Sequence, residues 1–257
     1  MARPEASKGI SSVLSTLQVL EVVAQRQPIG VSELARVTGM PKSSVHRCLV
    51  TLREAGWLRI VDPERVAWGV TSKPLDIGLI GSGEQSLRDV ARPHIEALRD
   101  ATNETVHLTI RDGASLTIIL REDCQQAVRT YVEIGTRAPM HATSCGLAVL
   151  AKLDDDEAES VLNRGLDRYT GGTQTSLVQV RQEIRRTRAR GFAVNDKSWW
   201  RPEVCAIGAA VVNSLGRPVG ALAISVPASR FDRDNIAGYG EHAVKTATAI
   251  SESLISH

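Results

Sequence analysis

The chain has 257 residues, 42% hydrophobic and 23% charged, enough for two domains with a core each and too mixed for a fibre or a long disordered tail. Residues 1–12 hold Arg3, Glu5 and Lys8 without an apolar stretch, and the longest near-apolar run, Val204 to Val212, is too short to span a bilayer, so neither a secretory signal nor a membrane partner is expected, and the location is expected to be cytoplasmic. The net charge of +2 divides unevenly: residues 1–80 carry ten Lys and Arg against seven acids, a net +3, and the remainder is −1, which points the first third toward a polyanion.

From Ser11, Val13, Leu17, Leu20 and Ala24 recur at helical spacing, with Leu14 beside them, and the helix stops before Pro28-Ile29-Gly30. Ser32 is a good N-cap for a second short helix with Leu34, Ala35 and Val37 facing a core, and Gly39 can take the left-handed conformation that ends it. Pro41 suits the opening of a third helix, about Lys42 to Ala55, with Val45, Leu49 and Leu52 on one face and Cys48 at its margin. Ser43 and Arg47 point away from that face, and Ser44 and Thr51 flank them. Two helices joined by a Gly-containing turn are the helix-turn-helix pattern, whose second helix enters the major groove of double-stranded DNA. Arg47 can offer two donors to a guanine edge, Ser43 and Ser44 can reach bases or phosphates, and Lys42 can neutralise phosphate. A helical bundle with a solvated polar face is the alternative for the helices alone.

The residues after Gly56 weigh against the bundle. Trp57 to Val61 reads as a strand, Asp62-Pro63-Glu64-Arg65 as a turn and Val66 to Val70 as a returning strand, which completes a winged helix. Arg59 and Arg65 on this wing can touch phosphate, or only water.

Gly78, Gly81 and Gly83 punctuate the stretch that begins at Leu75, and a linker is expected over 74–85, between a DNA-binding domain at 1–73 and a second domain at 86–257. Ser86 to Thr102 reads as an amphipathic helix with Leu87, Val90, Ala91, Ile95 and Leu98 inward. Thr105 to Arg111 alternates Val106, Leu108 and Ile110 against His107 and Thr109, and Asp112-Gly113 turns it into Ser115–Leu120. A helix from about Leu177 to Arg190 ends at Gly191, a strand covers Phe192 to Asp196, Val204–Val212 pairs with Val219–Ser225, and a last helix runs from about Asn235 to Ile255. Strand hairpins with helices at their edges predict an α+β fold: a winged helix-turn-helix followed by an antiparallel sheet flanked by helices.

Met140 to Gly146 leads into a helix over Cys145–Leu153, whose N-terminus favours an anion. The N–H groups near Ser144, Cys145 and Gly146 can hold a carboxylate, with the Ser144 hydroxyl as a further donor; an N-cap with small residues for close packing is the plain alternative. Cys145 with His141 four residues earlier also admits a Cys/His nucleophile, but no third orienting residue is identifiable, so no catalytic residue and no enzyme is expected. Cys48, Cys124, Cys145 and Cys205 have no metal-ligand spacing, and neither a metal nor a cofactor is expected.

Several segments together resemble the IclR (isocitrate lyase regulator) family of bacterial transcriptional regulators. They are Val31 to Ala35, Thr38 to Arg47 (including His46), Thr51 to Trp57, Gly135 to Gly146 and Ala223 to Pro227. The likeness runs from about Ser12 to the end. It implies a GAF-like effector-binding domain after the winged helix, dimers formed through the DNA-binding part and often paired into tetramers, palindromic operators, and small organic or aromatic acids as effectors. It also places pocket positions at Asp196, at Ala206 beside Cys205, and at Ala223 and Ser225. The chain departs from the family pattern over Asp196 to Glu203, where Lys197, Trp199 and Trp200 intrude. Two adjacent tryptophans beside an expected pocket suit an aromatic effector stacked on one indole; packing at an edge or a subunit interface is equally open.

Overall fold

The computed structural model describes residues 10–74, 77 and 84–255. The chain divides into two compact units, Met1–Ser82 and Gly83–His257. Most of the expected linker, residues 75, 76 and 78–83, lies outside the described residues, and Glu84 already begins the next helix.

The first unit holds α1 (Ser11–Arg26), α2 (Val31–Thr38), α3 (Lys42–Glu54) and the hairpin β1 (Leu58–Asp62) and β2 (Ala67–Val70). Its core joins Val19 and Val23 of α1 to Leu34, Val45, Leu49, Leu52, Leu58 and Trp68. The inward face of α1 is therefore not the one that spacing suggests: Val13, Leu14 and Leu17 are exposed, and Val19 and Val23 are fully buried. Two apolar stripes share this helix; the core takes Val19 and Val23, with Leu20 and Val22 packed against it. Ser32 is likewise not the cap of α2, because the helix starts two residues earlier than that cap implies, at Val31 with Gly30 at the N-cap. Gly39 ends it in the left-handed conformation, φ 69°. Pro41 stands just before α3, at its N-cap. In the wing, Asp62 Oδ1 accepts from the Glu64 and Arg65 amides at 3.0 and 3.1 Å, an Asx-type turn. Ile29 exchanges backbone hydrogen bonds with Trp68 and adds a third short edge.

The second unit runs α4 (Glu84–Thr102), β3 (Thr105–Asp112), β4 (Ser115–Glu122), β5 (Arg137–Pro139), α5 (Ser144–Lys152), α6 (Asp155–Leu162), α7 (Leu177–Arg190), β6 (Ala193–Asn195), β7 (Val204–Val212), β8 (Pro218–Pro227) and α8 (Ile236–Ile255). The six strands form one antiparallel sheet in the order β5-β4-β3-β8-β7-β6. The two faces follow from the register, since residues directly opposite share a face and neighbours alternate. Val106, Leu108, Ile207, Leu222 and Ile224 pack with Ala91, Ile95, Ala243 and Ile250 of α4 and α8. The other face carries small residues, Ala221 and Ala223 among them, and packs with Leu147 and Leu150 of α5 and Ile184 of α7. Helices cover both sides, so His107 and Thr109 are buried although they alternate with apolar neighbours. The fold is α+β as expected.

Candidate functional site

In the first unit, α3 turns Val45, Cys48, Leu49 and Leu52 inward, which fixes what faces out. Lys42, Ser43, His46, Arg47 and Thr51 are exposed and Ser44 is half-buried. Arg59 on β1 and Arg65 in the wing turn are exposed as well. Other basic groups of this unit have internal partners: Arg36 pairs with Glu33 at 3.7 Å, Arg53 lies over the Trp68 ring at 6.0 Å, and the Lys73 ammonium donates to the Ala55 carbonyl at 2.5 Å. Among the described residues Lys42, Arg47, Arg59 and Arg65 have no carboxylate partner within ion-pair distance, nor has Arg26 at the end of α1. Four of these five cations lie on α3 and the wing.

In the second unit a cavity opens between α5 and the small-residue face of the sheet. His107 and Thr109 of β3, Ala206 of β7, and Ala223 and Ser225 of β8 form its floor. Ser144 and Cys145 at the start of α5, with Thr143 before them, form one wall, and Asn195, Trp200 and Arg201 another. Gly208 lets that helix approach: a Cβ there would sit 2.7 Å from the Ser144 carbonyl carbon and 2.9 Å from the Cys145 nitrogen. In the floor, Arg121, His107, Ala223 and Gly208 stand side by side on β4, β3, β8 and β7.

The polar atoms of this cavity are largely accounted for. The Thr109 hydroxyl donates to Ala221 O at 2.9 Å, and the Thr143 hydroxyl donates to Pro139 O at 2.7 Å while accepting the Gly146 amide at 3.0 Å. Asn195 Oδ1 accepts the Trp199 amide at 3.1 Å. His107 Nδ1 lies 3.0 Å from the Ser225 hydroxyl, and its Nε2, fully buried, has no partner. Burial, and secondarily the Arg121 charge, push the His107 pKa down to about 4, so the imidazole is neutral near pH 7. Arg121 itself is engaged with Asp123 at 2.9 Å, with the Val132 carbonyl at 3.0 Å and with the Tyr131 ring at 4.0 Å. The Arg201 guanidinium, 4.6 Å from the Trp200 ring centre, is exposed at the rim.

The structure brings together Ser144, Cys145, Trp200, Ala206, Ala223 and Ser225 and sends five other expected positions elsewhere. The Gly146 amide is taken by the Thr143 cap, and Gly146 abuts the backbone of Met140, whose oxygen a Cβ would meet at 2.1 Å. Met140 borders a neighbouring recess with His141 and Tyr169. Cys205 pairs with Val226 and therefore faces the opposite side of the sheet from Ala206. Asp196 is half-buried near Arg233, at 3.9 Å, while Asn195, in register with Ala206, occupies the cavity. The two tryptophans part: Trp200 lines the cavity, and Trp199 is buried in the core with its indole N–H unpartnered.

The nucleophile alternative does not survive. Burial holds the Cys145 thiol up at about 12, and its Sγ faces Ala221 O at 3.8 Å. His141 Nε2 lies 2.9 Å from Asp167 O, not against the thiol.

Residues 82–252 match the family model described as bacterial transcriptional regulator IclR C-terminal, and residues 12–61 match the IclR helix-turn-helix domain. The chain is similar to the transcriptional repressor IclR of Escherichia coli (strain K12), 28% identical over 255 residues that cover 98% of this chain and 92% of the relative. Among solved structures it is similar to the IclR of Thermotoga maritima, with TM-score 0.76, 24% identity and 96% and 99% of the two chains covered. It is also similar to an IclR homolog from Microbacterium hydrocarbonoxydans complexed with 4-hydroxybenzoate, with TM-score 0.80, 22% identity and coverage of 95% and 98%. At those identities the two structures speak for the fold.

Proposed function

The chain belongs to the IclR family of bacterial transcriptional regulators and is a DNA-binding regulator rather than an enzyme; from that premise we propose that its operator binding is controlled by a small organic acid held in the cavity beneath α5. The observation that carries this is the donor set there. The Ser144 hydroxyl, the amide group of Asn195, the start of α5 and the Arg201 guanidinium at the rim all surround one space lined also by Ile118, Val132, Ala138, Ala206 and Ala223, and together they suit a carboxylate on a compact hydrocarbon body. That a structural relative is complexed with 4-hydroxybenzoate supports an acid of this size, and the Trp200 indole suits an aromatic one.

On the DNA side, residues 1–73 form the reading domain, 74–85 the linker and 86–257 the sensor. Arg47, Ser43, Ser44, His46 and Thr51 of α3 read base edges or adjacent phosphates, while Lys42, Arg59 and Arg65 take backbone phosphate. The exposed Val13, Leu14 and Leu17 of α1 supply an apolar face for self-association. A two-fold dimer then presents two copies of α3 to palindromic half-sites about one turn, roughly 34 Å, apart. The DNA partner puts the protein in the cytoplasm. Effector binding shifts the population between arrangements that fit and do not fit this spacing, and a tenfold difference in effector affinity between them supplies about 1.4 kcal/mol.

The test is fluorescence anisotropy on promoter DNA next to the protein's own gene, with and without saturating acids, for the wild type and Arg201→Ala. Acid-dependent affinity that Arg201→Ala weakens is expected. Operator affinity indifferent to every acid that binds the protein would overturn the effector reading and leave DNA binding intact.

A further inference from the structure

We propose that His107 reads a second, uncharged polar group of the effector, so that the preferred ligands are hydroxy- or oxo-substituted acids rather than plain hydrocarbon acids. This rests on the acid-effector reading and extends it to the other end of the ligand.

The hydroxyls and amides of the cavity mostly bond one another or the backbone. His107 Nε2 does not: it is buried and without a partner, on a residue of the cavity floor. A buried ring nitrogen in that state is unfavourable and is a natural site for a ligand atom. Nδ1 is already engaged by Ser225, which fixes the ring orientation. Whichever tautomer results, Nε2 offers one N–H or one lone pair. A hydroxyl answers either, and a carbonyl answers the first.

Register separates this group from the anion-binding end. His107 and Gly208 flank Ala223 in one row across the sheet, two strand spacings or roughly 10 Å apart at the backbone. Ser144 lies over Gly208. The ligand therefore meets donors for a carboxylate at one side, a bare methyl floor in the middle and an imidazole at the other. The imidazole side is not a second anion site. His107 is neutral near pH 7, and the Arg121 beside it is held by Asp123, Val132 and Tyr131.

The experiment is calorimetric titration of the full-length protein with matched acids: benzoate against meta- and para-hydroxybenzoate, and hexanoate against its terminal hydroxy acid. His107→Phe fills the space without a polar atom, and His107→Gln keeps a hydrogen-bonding end, so it serves even where the Phe variant folds poorly. In the wild type at least one hydroxy acid is expected to bind about tenfold more tightly than its parent. His107→Phe should erase that preference, and His107→Gln should retain part of it. A wild type that binds parent and hydroxy acids equally, or a His107→Phe variant that keeps the preference, overturns the role of His107 and leaves the acid reading standing. A wild type that binds none of these acids overturns both.

Discussion

Nδ1 of His107 and the hydroxyl of Ser225 lie 3.0 Å apart across two neighbouring strands, inside a sheet covered by helices on both faces. The pair fixes a neutral imidazole in the floor of the cavity, and this links stability to pH. The unfolded chain takes up a proton as the pH falls through about 6.5, whereas the folded His107 resists until about 4. The unfolded state therefore binds more protons in that window, and the native state loses stability as pH falls through it, by up to about 3 kcal/mol. Urea melts of wild type and His107→Gln between pH 7 and 4 should give a difference that shifts progressively in favour of the variant as the pH drops. A difference that stays constant across the window would refute the linkage.

Arg47 and Lys42 occupy the same helix and should fail differently. Both are exposed without carboxylate partners, but Arg47 stands one turn inside α3 and Lys42 opens it. Arg47→Ala should cost about 1–3 kcal/mol on the cognate operator and flatten discrimination against variants at one base pair. Lys42→Ala should weaken all sequences alike and reduce the salt dependence by about one counterion. Anisotropy at several salt concentrations on cognate and scrambled DNA separates them; equal losses on both DNAs from Arg47→Ala would remove it from base reading.

The outward stripe of α1 gives a prediction about assembly. Leu17 is 48% exposed and Leu14 61%, a turn or less apart, and neither supports the unit's own core. Leu14→Lys with Leu17→Lys should leave the thermal stability of a monomeric unit nearly unchanged yet shift the sedimentation of the full chain toward monomer and weaken operator binding. Unaltered sedimentation would move the contact to another surface.

How far these features are legible in the sequence depends on what each residue faces. The winged helix is readable because Gly39, Pro41 and the Asp62–Arg65 turn mark its boundaries, and the 3.6-residue period of α3 sorts Arg47 from Leu49 unaided. On α1 the same period fails, since Val13 with Leu17 and Val19 with Val23 are both helical stripes and only the tertiary contact decides between them. In the sensor the strands are legible but not what covers them: by alternation alone His107 is simply the polar neighbour of Val106, and only helices on both sides make it buried. Of the pocket positions the family resemblance implies, Asp196 lies just past the end of β6, near Arg233, whereas Asn195, the last residue of that strand and in register with Ala206, lines the cavity. The helix α6 does carry a local signal, because Asp154 caps it by accepting the Glu157 amide at 2.7 Å and acids crowd its first turn.

Glu104 is 3% exposed, and both of its oxygens accept from Arg230, each at 2.7 Å. Arg230 also donates to the Val128 carbonyl at 3.1 Å, tying the segment after β4 to the end of β8. Removing only the cation leaves a buried carboxylate alone, so Arg230→Ala should destabilise by about 3 kcal/mol, the low end for a buried pair because the guanidinium is a third exposed. Adding Glu104→Gln should recover part of that loss. Chemical denaturation of the three variants checks the sign, and a double variant less stable than Arg230→Ala would show that the carboxylate has another partner.

Gly208 offers the sharpest test of how the cavity is built. The methyl group of Gly208→Ala would fall 2.8 Å from the Ser144 carbonyl oxygen and 2.9 Å from the Cys145 amide nitrogen. Both are backbone atoms at the start of α5, so no side chain can swing aside, and the helix must lift off β7. Overpacking of this kind costs about 1–3 kcal/mol, which a protein of this size can survive. Ligand binding should suffer more than stability, because the displaced turn carries the Ser144 donor and sets the height of the space above Ala223. Gly30→Ala, where nothing stands near the added carbon and φ is −92°, is the matched control and should leave acid affinity as it was. If Gly208→Ala binds the wild type's preferred acid with unchanged affinity while folding normally, the ligand does not rest between α5 and the sheet, and the effector site lies elsewhere in the molecule.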